Sequence, residues 1–188
     1  MVLDDMQLLM SPILAHVSNQ HSDETIKFQA MALSILNRME TLSDRSSLCS
    51  ALVQDHIYRS VLLAALIYCR SITSRLPLSR TCSLVDLNNL WASMWRVNLS
   101  RWKEIPGIFL FVILAAIPAA ERTPHGRFLK SMLKTTTAYL SLGYWDVVDC
   151  TLMTYVELQR WLRDDTPDMV VAEKEVKPLN FVHFYRQL

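Results

Sequence analysis

The sequence predicts an all-α fold, a single-domain helical bundle of about seven helices, on three observations. Glycine occurs three times in 188 residues, at 107, 126 and 143, too rarely for the positive-φ turns that a β-sandwich or barrel needs. Apolar residues make up 51% and charged residues 20%, enough to fill a buried core without disulfide or metal staples. Apolar side chains also recur at three- and four-residue steps, in stretches bounded by capping residues and prolines.

The first helix is predicted from Asp4 to about Asn19, with an interruption at Ser11-Pro12, where Pro12 can open a new turn. The second runs from about Asp23 to Leu42 and lays Phe28, Met31, Ile35, Met39 and Leu42 on one face. Ser43 to Ser50 is short and polar and reads as a loop. The third, Asp55 to about Ser74, is apolar nearly all round, as befits a central helix covered by others, and Pro77 ends the region. Ser83 and Asp86 form a capping-box pattern for the fourth, which extends to about Asn98.

Pro106 suits the first position of the fifth helix, which Pro118 is expected to close. Thr123-Pro124 opens the sixth, with a stripe of Phe128, Leu129, Met132, Leu133, Tyr139 and Leu140, and Gly143 is expected to supply a left-handed stop. The seventh runs from Trp145 to about Arg163. Residues 1–166 are thus expected to form the helical core. Residues 167–188 lose periodicity and are expected to be an irregular tail that docks on the core through Phe181, Phe184 and Tyr185.

Charge and composition exclude several function classes. The 19 basic and 18 acidic residues leave a net charge of +1, with no polybasic run, so direct nucleic-acid binding is not expected. The apolar stretch from Ile105 to Ala120 is shorter than the roughly 20 residues that cross a bilayer, and it carries two prolines. No membrane span is therefore expected. The N-terminal stretch holds Asp4 and Asp5 where a secretion signal carries positive charge. Cys49, Cys69, Cys82 and Cys150 match neither a zinc-ligand set nor a disulfide framework. An intracellular, reducing location fits this usage, cytoplasmic or, for a regulator, nuclear. No metal and no cofactor are expected.

One set of motifs resembles a known family. Trp102-Lys103-Glu104-Ile105-Pro106 precedes an apolar helix ending in small residues. Arg122-Thr123-Pro124 with Arg127-Phe128-Leu129 follows, and then Leu142-Gly143-Tyr144-Trp145-Asp146-Val147-Val148. Together with the segment Tyr58 to Tyr68, these resemble the C-terminal part of the regulatory (middle homology) domain of fungal zinc-cluster transcription factors, over roughly residues 55 to 163. The sequence departs from that pattern at Phe111 and Ala115, where the family usually has tryptophan and glycine. It also lacks the six-cysteine zinc cluster, so the family's DNA recognition does not carry over. The resemblance implies a helical scaffold of the kind thought to sense small molecules.

Candidate site residues follow from side-chain chemistry. Trp91, Met94 and Trp95 share a helical face and, with Trp102, suit either the wall of an apolar pocket or ordinary core. Tyr139 and Tyr155 bring hydroxyls into apolar faces and join the expected ligand-binding set. His56, Tyr68 and Asp149 are the candidates for acid–base or carbonyl-polarising roles, each set against a structural one: a helix-start contact, a backbone hydrogen bond and an ion pair. The histidines at 16, 21, 56, 125 and 183 share no metal-ligand spacing, and Arg70, Arg75 and Arg80 read as a solvated face. No nucleophile elbow, phosphate loop or dinucleotide fingerprint occurs.

The resulting expectation is a stand-alone pocket protein for a hydrophobic small molecule, either a binder or a cofactor-free cyclase or isomerase of fungal specialised metabolism, for example on a terpenoid or polyketide. The alternative is a truncated transcriptional regulator acting through protein partners. Partners under these readings are the small molecule, a second copy of the chain or another regulator.

Overall fold

The structure is a computed structural model that describes residues 2–16, 22–46, 55–121, 123–143 and 145–163. Among these residues all regular structure is helical, with no strand. The helices are α1 (Val2–His16), α2 (Ser22–Ser46), α3 (His56–Ser74), α4 (Leu78–Thr81), α5 (Leu84–Trp95), α6 (Leu99–Glu104), α7 (Pro106–Ala120), α8 (Pro124–Ser141) and α9 (Trp145–Arg163). Nine described helices replace the expected seven. The two additions, α4 and α6, are single turns in what reads from sequence as connection or helix end. The expected docking tail 167–188, His21, His183 and Cys49 lie outside the described residues.

Local chemistry sets the boundaries. The Asp55 carboxylate accepts from the amides of Ile57 and Tyr58, both at 3.0 Å, and so caps α3. At α5 the capping box forms as the sequence predicts: the Asp86 amide donates to Ser83 Oγ at 3.1 Å, and the Ser83 amide donates to the Asp86 carboxylate at 3.1 Å. The Asn98 side chain accepts from the Ser100 amide and starts α6.

Several expectations are corrected. α1 runs unbroken through Pro12, because Leu9 and Ile13 on either side are both fully buried and hold the axis. α2 continues to Ser46, since nothing from Ser43 to Ser46 breaks a helix. Pro118 lies inside α7, where a missing amide so near the end forfeits one hydrogen bond, and the helix ends at Ala120. Gly143 does not adopt a positive φ. The left-handed residue is Arg75, at φ 53°, which ends α3 with its amide on the Ile72 carbonyl while the Leu76 amide reaches Ser71. Arg70 is ion-paired with Asp86 at 3.2 Å and Glu40 at 3.6 Å, and Arg75 covers the ring of Trp161, so these two do not form a solvated face.

Two helices organise the packing. α3 touches α1, α2, α4, α5 and α7, while α7 touches α3, α4, α5, α6, α8 and α9. Ile67, Cys69 and Ile72 of α3 and Leu110, Ile113 and Leu114 of α7 are fully buried. One connected cluster of buried apolar residues runs from Val2 to Leu162. Gly126 lets α8 turn tightly against α7: a methyl group there would overlap the Ala120 carbonyl oxygen. This corner directs the first two turns of α8 back toward α5.

Candidate functional site

α5 carries Trp91, Met94 and Trp95 at helical steps of three and four, which face the beginning of α8. Trp95 ends the helix, and residues 96–98 turn the chain so that α6 crosses its end. The Met94 carbonyl, left without a helical donor at this end, accepts from the Val97 amide at 3.2 Å and from Trp102 Nε1 at 3.2 Å. This indole hydrogen bond pins Trp102, 2% exposed, beneath α5, where it stacks on Phe109 with ring centroids 4.8 Å apart.

The upper wall is a second aromatic group. Trp91 lies 4.3 Å from the ring of His125 and 5.5 Å, edge-on, from Phe128, while Trp95 lies 5.0 Å from Phe128 and 5.3 Å from Trp91. Between the two groups is a hollow of about 50 Å³ that opens to solvent, lined by Trp91, Met94, Trp95, Val97, Leu99, Trp102, Phe109 and Met132. Its outer lip is exposed: Trp95 at 54%, Leu99 at 55% and the adjoining Phe128 at 40%. No lining side chain is ionisable. Arg101, on α6, pairs with Glu104 at 2.6 Å.

Of the six expected ligand-binding residues, Trp91, Met94, Trp95 and Trp102 meet at this hollow. Tyr139 does not: it is 56% exposed on α8, outside the lining. Tyr155 belongs to a separate interior group on α9, where burial holds its hydroxyl well above the ordinary value. Tyr68 adjoins it. Its hydroxyl donates to the Phe111 carbonyl at 3.3 Å, its ring lies 5.0 Å from that of Phe111, and burial, then the neighbouring Tyr155, raises its pKa.

The acid–base candidates do not converge. His56 sits at the start of α3, where its carbonyl accepts from Ser60 Oγ at 2.7 Å and Ser93 Oγ at 3.1 Å. Its Nδ1 is buried and has no hydrogen-bond partner among the described residues. Asp149 is exposed on α9, beside exposed Cys150. None of His56, Tyr68 and Asp149 lines the hollow. No cluster of three metal-ligating side chains occurs among the described residues, and none of the described helices is long and apolar enough to cross a membrane.

Val97, Leu99, Phe109 and Met132 complete the lining without having been singled out from sequence. The signal available for the first two was Asn98, a helix-starting residue type that opens a further turn just past the expected end of the fourth helix. For Met132 it was the four-residue step from Phe128, read there as core.

No family model matches the chain, and no curated protein or solved structure is significantly similar to it. The likeness to fungal regulatory domains therefore stands on its motifs alone.

Proposed function

We propose that the chain is a binding protein for a hydrophobic small molecule, held at the hollow between α5, α6, α7 and α8. The observation carrying this reading is the convergence of aromatic and thioether side chains from all four helices on one solvent-open hollow with no ionisable lining. Apolar walls of this kind reward apolar surface and shape, with the backbone supplying polar contacts. Its volume of about 50 Å³ is well below the about 150 Å³ of a cavity that takes one benzene ring, so it admits only a small branched end of a ligand, whereas pockets for whole drug-sized ligands measure about 300 Å³ or more. The rest of the molecule would then lie across Trp95, Leu99 and Phe128.

Binding fits this geometry better than turnover. A cyclase or isomerase needs a group that gives or takes a proton within about 3 Å of the reacting atom, and the acid–base candidates line other parts of the fold. The test is a titration of the purified protein with C10 and C15 isoprenoid alcohols and polyunsaturated fatty acids, followed by tryptophan fluorescence. Saturable quenching by one of them, without chemical change of that compound, is the expected result. Absence of saturable binding across the panel up to the solubility limit would remove the proposal.

A second reading is favoured by the exposure of Trp95, Leu99 and Phe128 beyond the hollow: the same face serves as the contact of a regulator that works through a protein partner. Aromatic anchors of this size dominate protein interfaces. Recovery of a defined partner by the wild-type chain but not by Trp95→Ser, together with a null titration, would favour this second reading over the first.

A further inference from the structure

The inner end of the hollow is closed by groups with no hydrogen-bonding capacity to spare. Trp102 and Phe109, both buried, stack on each other there. The indole of Trp102 has a single donor, and it is spent on the Met94 carbonyl. That carbonyl also accepts from the Val97 amide, so both of its lone pairs are engaged. With no ionisable side chain in the lining, a hydroxyl or carboxyl pushed inward would shed its water and find no partner. An unmet hydrogen bond of this kind weakens binding about tenfold or more. The end that enters is therefore hydrocarbon, and the oxygenated end of the ligand stays outside.

Size restricts that end further. A cavity needs about 10–15 Å³ for each water-sized group it holds, so this one takes roughly three or four heavy atoms. An isopropyl group has that number, whereas a straight chain end places its atoms in line and forfeits contacts on either side. Most of the wall is fixed. Trp91 and Trp95 are held by ring contacts with each other and with Phe128, and Trp102 and Phe109 by their stacking. Met132 differs. It is the one lining residue from α8, partly buried at the edge of the core. Its unbranched thioether turns about three bonds and fills whatever space its neighbours leave. Beyond Cβ it carries Cγ, Sδ and Cε, as many heavy atoms as an isopropyl group.

We propose that the hollow selects ligands by an unoxidised, methyl-branched chain end, as in a prenyl or iso-branched acyl chain, and that Met132 is the residue that sets this size limit. The inference rests on the ligand-binding reading above and names the ligand class for that same site. Recognition is then of the end remote from the functional group. Oxidation of a terminal methyl abolishes it, and changes at the oxygenated head leave it nearly untouched. Truncation of Met132 to alanine about doubles the room and moves the preference toward ring-ended compounds.

The experiment titrates the full chain, followed by tryptophan fluorescence, with matched pairs of probes. Geraniol is expected to bind at least tenfold more tightly than geraniol hydroxylated on a terminal methyl, and within about twofold of its methyl ether. A saturated iso-branched fatty alcohol, which carries the branched end without the prenyl chain, should bind at least threefold more tightly than its straight-chain isomer. Preference for geraniol over a phenyl-ended alcohol of equal carbon number should fall at least fivefold in Met132→Ala. Circular dichroism on heating checks that this variant is folded, and Met132→Val, a smaller truncation, moves the same ratio in the same direction if it is not. Saturable binding that is indifferent to the chain end, follows the head group, or keeps its ratios in folded Met132 variants overturns this inference and leaves the ligand-binding reading standing. Absence of saturable binding by every probe, farnesol included, overturns both.

Discussion

The guanidinium carbon of Arg75 lies 3.6 Å from the centre of the Trp161 ring, coupling the left-handed end of α3 to the last turn of α9. A side chain other than glycine at this φ costs about 1 kcal/mol, and a partly desolvated cation over an indole returns about 0.5–2 kcal/mol. Arg75→Ala keeps the strain and loses the contact, so it is expected to destabilise by about 1–3 kcal/mol in urea unfolding. Arg75→Gly relieves the strain and should be about 1 kcal/mol less damaging. A double-mutant cycle with Trp161→Ala should give a coupling energy of about 0.5–2 kcal/mol; additivity of the two changes would show that the stacking contributes nothing.

Gly126 and Gly107 form a matched pair for testing the α7–α8 corner. A methyl group at 126 meets backbone of Ala120, which cannot rotate away, whereas nothing lies within 4 Å of one at 107. Gly126→Ala is expected to lose about 1–3 kcal/mol through overpacking. Gly107→Ala, in the first turn of α7, is expected to be neutral or to gain up to about 1 kcal/mol from reduced chain entropy. Equal midpoints for the two variants in thermal unfolding would contradict the tight corner.

Alkaline pH should weaken the fold through Cys69. Burial, followed by the nearby Asp5 carboxylate, pushes this thiol from an ordinary 9.0 up to about 12. Below pH 9 the thiol is protonated in the folded and unfolded chains alike, and its contribution is fully present. Above pH 9 the unfolded chain releases the proton first, so stability falls with rising pH at up to about 1.4 kcal/mol per pH unit from this group, until about pH 12. Stability of Cys69→Ala, followed by urea unfolding between pH 9 and 11, should fall correspondingly less steeply. Parallel slopes for wild type and variant would count against it.

The two layers of the aromatic site should separate binding from stability. Trp95→Ser removes a ring that is mostly in solvent, so its stability change is expected to stay within about 0.5 kcal/mol while saturable ligand quenching is lost. Trp102→Ala, by contrast, vacates a buried ring and orphans the Met94 carbonyl from one of its donors, with an expected loss of about 3–5 kcal/mol. If Trp95→Ser binds the same isoprenoid with wild-type affinity, the lip takes no part in recognition.

Much of this architecture is legible from residue spacing. The capping residues Asp55 and Ser83 mark the starts of α3 and α5, and the all-round apolarity of α3 announces its central place. Prolines are only partly legible: Pro106 begins α7 as expected, but Pro12 sits inside a helix whose axis buried neighbours hold, and Pro118 lies so near the end of α7 that its missing amide forfeits one hydrogen bond. The left-handed position cannot be read at Arg75, since the usual glycine signal is missing there and the offsetting partner, Trp161, is 86 positions away in sequence.

The site divides in the same way. Helical spacing alone puts Trp91, Met94 and Trp95 on one face, a local relationship. The contribution of Phe109 and Met132 depends on how α7 and α8 dock, a tertiary relationship. Phe128 and Tyr139 read as inward-facing because they lie in the apolar stripe of α8, yet of that stripe the helix buries only Leu129, Leu133 and Leu140. Aromatic residues flanking such a stripe look the same in sequence whether they face inward or outward.

The nearly uniform apolarity of α7 has a consequence for how the chain is made. From Phe109 to Ile117 all but one residue of this helix are buried, and its cover includes α8 and α9. During synthesis this greasy rod emerges before its roof exists. Until the ribosome has passed Leu162, nascent chains expose a surface prone to coalescence. Premature termination between α7 and α9 is therefore expected to leave insoluble fragments, with holdase-type chaperones as the nascent chain's first company.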